Sequence, residues 1–431
     1  MKNKIACRYK LQRLIFSSFL CLIILTSSNQ AFNIKKEESN TDTLIKALAW
    51  QINSDSIRAN MQALQDFGTR LSFLQEQSSK AAIWLKNKLY SYGYSDIQAD
   101  SFECTMIYYG NGVKSTTNWQ RNIIVTIPGK TRPEDVIILG AHYDSYSKTL
   151  TGSAPGADDN ASGTGAVLEI ARILKQNKYQ PESTVKLILF CAEELMRTSM
   201  SGSVTYALKA KYSGQKISLM INLDMIGYSP VPVSESSLKF EYYTGFEYLL
   251  DEMFEYTRKY TKLTPVKGTG DLGADSAPFA QFGFPAIFLF EDKFNPYYHT
   301  SEDVISNCNI EYCTEAARAG LSILISRAQG TLTSAPRYEK KVNPSGIFLM
   351  QNYPNPFNSS TTISYYLVKP SNVKLKIIDI LGNQVTETKE KPEDSGFHSL
   401  YFDASSLPSG MYIYQVEADG IRDTKKMLLL K

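Results

Sequence analysis

Histidine is used three times in this 431-residue chain, as His142, His299 and His398. Two of the three stand among carboxylates. His142 lies two residues before Asp144 at the end of the apolar run Val136–Ala141, so both side chains share one face of a strand. A loop rich in Gly, Ser and Pro leads to Gly156-Ala-Asp-Asp-Asn-Ala-Ser-Gly163, which places a second carboxylate pair at the start of a helix. His299 sits in Tyr297-Tyr-His-Thr-Ser-Glu-Asp303. Glu193-Glu194 and Asp224 each end a further apolar run. Two imidazoles, several carboxylates and no cysteine-rich cluster suit zinc or a similar divalent ion. The natural arrangement is two ions sharing a bridging carboxylate. Such a site activates water while polarising a carbonyl oxygen. Of two adjacent glutamates leaving a strand, one can ligate while the other stays free as a general base. The chemistry implied is hydrolysis of an acyl group.

Positioning these groups calls for strands that end at one edge. The run Val136–Tyr143 is short, β-branched and bounded by turn residues, as in a buried strand of a mostly parallel sheet. Strand patterns recur at 97–105, 121–127, 184–192, 217–226 and 286–290. Helical spacing marks 41–92, 162–176, 204–211, 246–260, 276–282 and 311–328, with Gly93 as an αL cap after the first stretch. This alternation predicts an α/β fold, a three-layer α/β/α domain. Such folds bind ligands at the carboxyl ends of their strands, where His142, Glu193-Glu194, Asp224 and His299 all fall.

A net charge of +3 gives no reason to expect a nucleic-acid partner. Lys2, Lys4, Arg8, Lys10 and Arg13 precede the uncharged run Leu14–Leu25, the pattern of a secretory signal peptide over residues 1–31. Cys7 and Cys21 leave with that segment. Export permits disulfides among the other four cysteines, of which Cys308 and Cys313 are the nearest pair. Residues 32–329 form the predicted catalytic domain and 330–346 a polar, Pro-containing linker. Residues 347–431 change pattern entirely. Strand-like alternation at 361–367, 373–380, 396–402, 411–416 and 425–430 predicts a small all-β, Ig-like sandwich. His398 lies in it as a structural or exposed residue.

The set His142-x-Asp144, Gly156–Gly163, Glu193-Glu194, Asn222-Leu-Asp-Met225 and His299-Thr-x-x-Asp303 resembles the clan MH di-zinc aminopeptidases, family 28 of the metallopeptidases. The likeness covers roughly Leu44 to Gln329. It implies two Zn2+ ions, one held by His142 and Asp224, the other by Glu194 and His299, with Asp159 bridging. It further implies Glu193 as general base and acid, Asp144 orienting His142 from behind, and peptides with a free N-terminus as substrates. Two departures stand out. After Glu194 the run Leu195–Ser203 is longer than the family's and lacks its first glycine, and Ala274-Asp275-Ser276 replaces Ser-Asp-His. Tyr297 and Tyr298 are candidates for holding the substrate oxygen by proximity alone. Glutaminyl cyclases share the fold with a single zinc but usually lack the Gly156–Gly163 segment, which is intact here. A catalytically silent binding protein on the same scaffold is the other alternative. In the tail, Leu349-x-Gln-Asn-Tyr-Pro-Asn-Pro-Phe357, Ile378–Gly382, Leu407–Tyr412 and the basic end Lys425-Lys426…Lys431 resemble the C-terminal sorting domain of the type nine (Por) secretion system. That resemblance implies an outer-membrane secretion machinery as partner and a secreted or cell-surface location.

Overall fold

Eight strands form a mixed sheet in the computed structural model, in the order β1-β2-β4-β3-β5-β8-β6-β7. The structure describes residues 40–108, 114–149, 152–194, 200–270, 273–330, 346–352, 355–367 and 369–431. The expected signal peptide and all but the ends of the expected linker lie outside the described residues. A helix over 40–49 (α1), α2 (Ser54–Gln65) and α3 (Gln75–Ser91) come first. A long hairpin, β1 (Ile97–Tyr108) and β2 (Lys114–Ile127), forms the sheet's outer edge. The parallel centre is β4 (Ser183–Phe190), β3 (Arg132–His142), β5 (Lys216–Leu223) and β8 (Ala286–Glu291). The middles of these strands are largely apolar and buried because helices cover both faces.

The chain leaves β3 through α4 (Gly163–Gln176) to reach β4, then reverses direction through α5 (Gly202–Tyr212) to reach β5. Right-handed crossovers in opposite directions place the two helices on opposite faces. The helix α8 (Ile310–Gln329) packs with α4, and α7 (Ser276–Gln281) with α5. The reversal opens a crevice at the carboxyl ends of the central strands, the position such sheets use for ligands. Register keeps those ends level: His142 lies opposite Phe190, Gly140 opposite Asn222 and Leu223 opposite Leu289.

Within this sheet two strands escape the sequence pattern, β6 (Ser237–Tyr242) and β7 (Thr264–Lys267), with α6 (Leu250–Tyr260) between them. Both are short, and Pro265 masks the second as a turn. All four described cysteines are free. Cys308 Sγ points to the Val304 carbonyl and Cys313 Sγ to that of Ser162, so the nearest pair faces apart.

The tail is all-β among its described residues. One sheet contains β9 (Ile347–Leu349), β10 (Ser360–Leu367) and β14 (Gly396–Asp403). The other contains β11 (Ser371–Asp379), β12 (Gln384–Glu387), β13 (Lys391–Glu393), β15 (Gly410–Ala418) and β16 (Ile421–Leu429). Strict alternation of buried and half-exposed residues in β10 and β15 turns one face of each sheet inward. Ile363, Leu375, Tyr414 and Val416 are in the core that results.

Candidate metal centre

The seven site residues expected from sequence converge on the crevice. His142 Nε2 lies 3.2 Å from Asp159 Oδ1 and 3.3 Å from Asp224 Oδ1. On the other side, His299 Nε2 lies 3.2 Å from Asp159 Oδ2 and 2.8 Å from Glu194 Oε2. Asp159 therefore offers one oxygen to each imidazole. A tetrahedral zinc with bonds near 2.0–2.1 Å separates neighbouring ligand atoms by about 3.3 Å; three of these four edges match it, and the edge from His299 to Glu194 is shorter. Glu194 Oε1 is buried without a hydrogen-bond partner among the described residues, and His299 Nε2 meets only the carboxylates of Asp159 and Glu194. His142, Asp159 and Glu194 each offer a ligand atom within 4.8 Å of the others, and so close a buried set fits a cation between them.

Glu193 points elsewhere than its neighbour. Its Oε2 lies 4.0 Å from His142 Nε2, and the side chain keeps some exposure toward the crevice. Asp144, wholly buried, sits beneath both strand ends. Its carboxylate is 3.5 Å from His142 Nδ1 and accepts from the backbone N–H groups of Glu193 and Glu194 and from Ser72 Oγ. With Nδ1 facing this carboxylate and the Asp144 carbonyl, Nε2 is the nitrogen left for the crevice.

The loop carrying Asp159 is a π-helical turn, Ala157–Ser162, that runs into α4. Asp303 fastens its start by accepting the N–H groups of Asp158 and Asp159. Asn160 Nδ2 donates to the Leu223 carbonyl, and Thr164 Oγ1 to the carbonyl of His142. The strand ends are thus stitched to the turn from three sides.

Electrostatics reflect the crowding of carboxylates. Burial, with Asp224, Asp275 and Glu194 nearby, holds Glu193 well above the usual carboxylate range. Burial and Asp159 push Glu194 up to about 7. Burial opposes a charge on either imidazole, yet Asp224, Asp144 and Asp159 keep His142 well above its ordinary value. Glu194 and Asp159 likewise bring His299 to about 10. The protons so retained are what a divalent cation would displace.

Several residues around the site were invisible in the sequence. Arg70, Ser72 and Tyr146 come from loops, and the Tyr146 ring meets His299 edge-on at 4.7 Å. Tyr298 stacks on His299 with ring centroids 3.6 Å apart, whereas the Tyr297 N–H turns back to Asn295. The departing run after Glu194 lies outside the described residues as far as Ser199. Beside Asp224 and Tyr298, an apolar group forms from Met225, Ala274, Phe288 and Phe290.

A three-layer α/β fold that gathers imidazoles and carboxylates at its strand ends defines a hydrolase of metallo-exopeptidase architecture, an aminopeptidase by class. The chain belongs to peptidase family M28, whose profile matches residues 122–323. It is 30% identical over 304 residues to the probable leucine aminopeptidase of Arthroderma otae, covering 68% of this chain and 76% of that relative. Among solved structures, BSAP, a zinc aminopeptidase from Bacillus subtilis, matches with a TM-score of 0.54 at 18% identity, covering 66% of this chain and 98% of that one. The glutaminyl cyclase of Bacteroides thetaiotaomicron bound to N-acetylhistamine matches with 0.52 at 22% identity, covering 64% and 98%. Both structures share the fold. Residues 351–430 match the secretion system C-terminal sorting domain, which marks the chain for export. No helix among the described residues is long and apolar enough to cross a membrane.

Proposed function

We propose that the enzyme is a secreted, zinc-dependent aminopeptidase that removes N-terminal residues from peptides. The observation that carries this reading is the two-sided presentation of Asp159, one oxygen toward His142 and Asp224, the other toward His299 and Glu194. In it, His142 with Asp224 and Glu194 with His299 would hold one zinc each, with Asp159 between them. When bound, such a pair supplies an activated water and polarises the scissile carbonyl. Glu193, turned away from its neighbour and next to His142, would take a proton from water and return it to the leaving amine. Asp144 fixes the His142 ring through Nδ1. The apolar group around Met225, Phe288 and Phe290 favours an apolar first side chain, which it would remove from water. The sorting tail carries the enzyme across an outer membrane by engaging the type nine secretion machinery.

The test is hydrolysis of a panel of aminoacyl arylamides by the metal-stripped and the zinc-loaded protein, beside Glu193→Gln. Zinc-restored cleavage, strongest on apolar residues, should fall by roughly 10²–10⁴-fold in the variant while zinc binding is retained. A zinc-loaded protein that leaves every arylamide intact but cyclises N-terminal glutaminyl peptides would refute the reading.

A further inference from the structure

Arg70 is the largest wholly buried side chain among the described residues. It lies in the loop between α2 and α3, before the span matched by the peptidase profile. Its guanidinium donates only to carbonyls: Nε to Tyr143 at 2.7 Å, one terminal nitrogen to Leu64 at 2.9 Å and Pro155 at 2.6 Å, the other to Gly156 at 2.8 Å. Its backbone N–H donates to Ser145 Oγ, and that hydroxyl donates to the Ala154 carbonyl. Every acceptor but Leu64 belongs to one of two strips of chain. One strip directly follows His142, and the other directly precedes the turn with Asp159.

We propose that Arg70 is a positioning residue that sets the distance between His142 and Asp159 by clamping these two strips together. The inference rests on reading both residues as zinc ligands. Burying a cation without an ion pair is costly, and among the described residues the Arg70 guanidinium meets carbonyls and no carboxylate at hydrogen-bond distance. Burial lowers its pKa only to about 10, because Asp303, Asp144, Asp159 and Glu194 favour the charge from farther off. The clamp is closed without slack. Gly156 has φ +54°, and a Cβ there would lie 2.8 Å from the Arg70 guanidinium and 2.6 Å from Ser145 Cβ. Lysine, with one nitrogen in place of a planar fork, cannot span both strips.

The experiment compares full-length wild type with Arg70→Lys and Arg70→Gln, each stripped by a chelator and titrated with zinc. The variants should bind zinc roughly 10–100-fold more weakly and show a smaller zinc-induced rise in Tm. Their kcat on apolar aminoacyl arylamides should fall while KM changes little, since the apolar group is untouched. A purely structural arginine would lower Tm equally with and without zinc and leave zinc affinity at the wild-type value, which would overturn the proposal. If neither variant folds, Ser145→Ala releases the same clamp from its other end and is judged by the same zinc titration. Failure of the wild type itself to bind zinc would reject the ligand assignment first, and this inference with it.

Discussion

Glu291 and Asp158 should share one proton behind the candidate metal centre. Glu291 Oε1 accepts the Asn295 N–H at 2.6 Å, and its other oxygen faces Asp158, which already accepts from Gly227 N–H and Asn295 Nδ2. Burial, then the Asp158 charge, pushes the Glu291 carboxyl up to about 12, which predicts that it keeps its proton and turns it toward Asp158. A carboxyl whose pKa rises on folding favours the fold most below its unfolded value, and this benefit erodes as pH climbs toward the folded value. Glu291→Gln keeps the acceptor toward Asn295, substitutes an N–H donor toward Asp158 and removes the titration. Melting curves at matched zinc should coincide near pH 5 and favour the variant near pH 9. A variant that melts lower than wild type at pH 9 would contradict the shared proton. Such pairs are hidden from the sequence, because a glutamate at a strand end reads as a surface residue until its burial is known. His142 and His299 were legible for the opposite reason: so scarce a residue, standing beside carboxylates at strand ends, has few structural uses.

Gly163 governs how closely the Asp159 turn and helix α4 approach strand β5. Its φ of −64° is ordinary for a helix, so backbone freedom is not what requires glycine here. Space is. A Cβ would lie 2.1 Å from the Leu223 carbonyl oxygen and 2.4 Å from Asn160 Oδ1, the atom that accepts the Gly163 N–H. In an unconstrained helix, Gly→Ala would stabilise by about 1 kcal/mol. Here the helix must withdraw from the residue before Asp224, so Gly163→Ala should instead destabilise by roughly 1–3 kcal/mol and weaken zinc binding. Urea denaturation and zinc titration check the two effects, and a gain in stability would show that the turn has room to move. The alternation of strands and helices could be read from the chain because β-branched runs such as Val136–Ala141 fit only a buried strand. The π-helical turn could not be, since its small and polar residues leave no periodic trace.

At the scale of the whole molecule, the chain buries two separate hydrophobic cores, one under the α/β sheet and one inside the β tail. Few aromatic pairs join them: Phe282 with Phe348 at 4.2 Å and Tyr212 with Tyr366 at 6.0 Å. Domains that share so little surface unfold with weak coupling. All the groups assigned to zinc belong to the first core's domain, so zinc should stabilise that domain alone. At free zinc 100-fold above Kd, the linkage is worth about 2.7 kcal/mol per site, so two sites together are worth roughly 5–10 °C for a domain of this size. Scanning calorimetry of the full chain should therefore resolve two transitions. Chelation should lower the larger one by that amount, while the smaller one, from the all-β tail, stays in place. Removing the tail after Gln329 should abolish the smaller transition and leave the zinc-dependent one. A single transition that moves as a whole with zinc would mean that the aromatic contacts bind the two units into one folding cooperative.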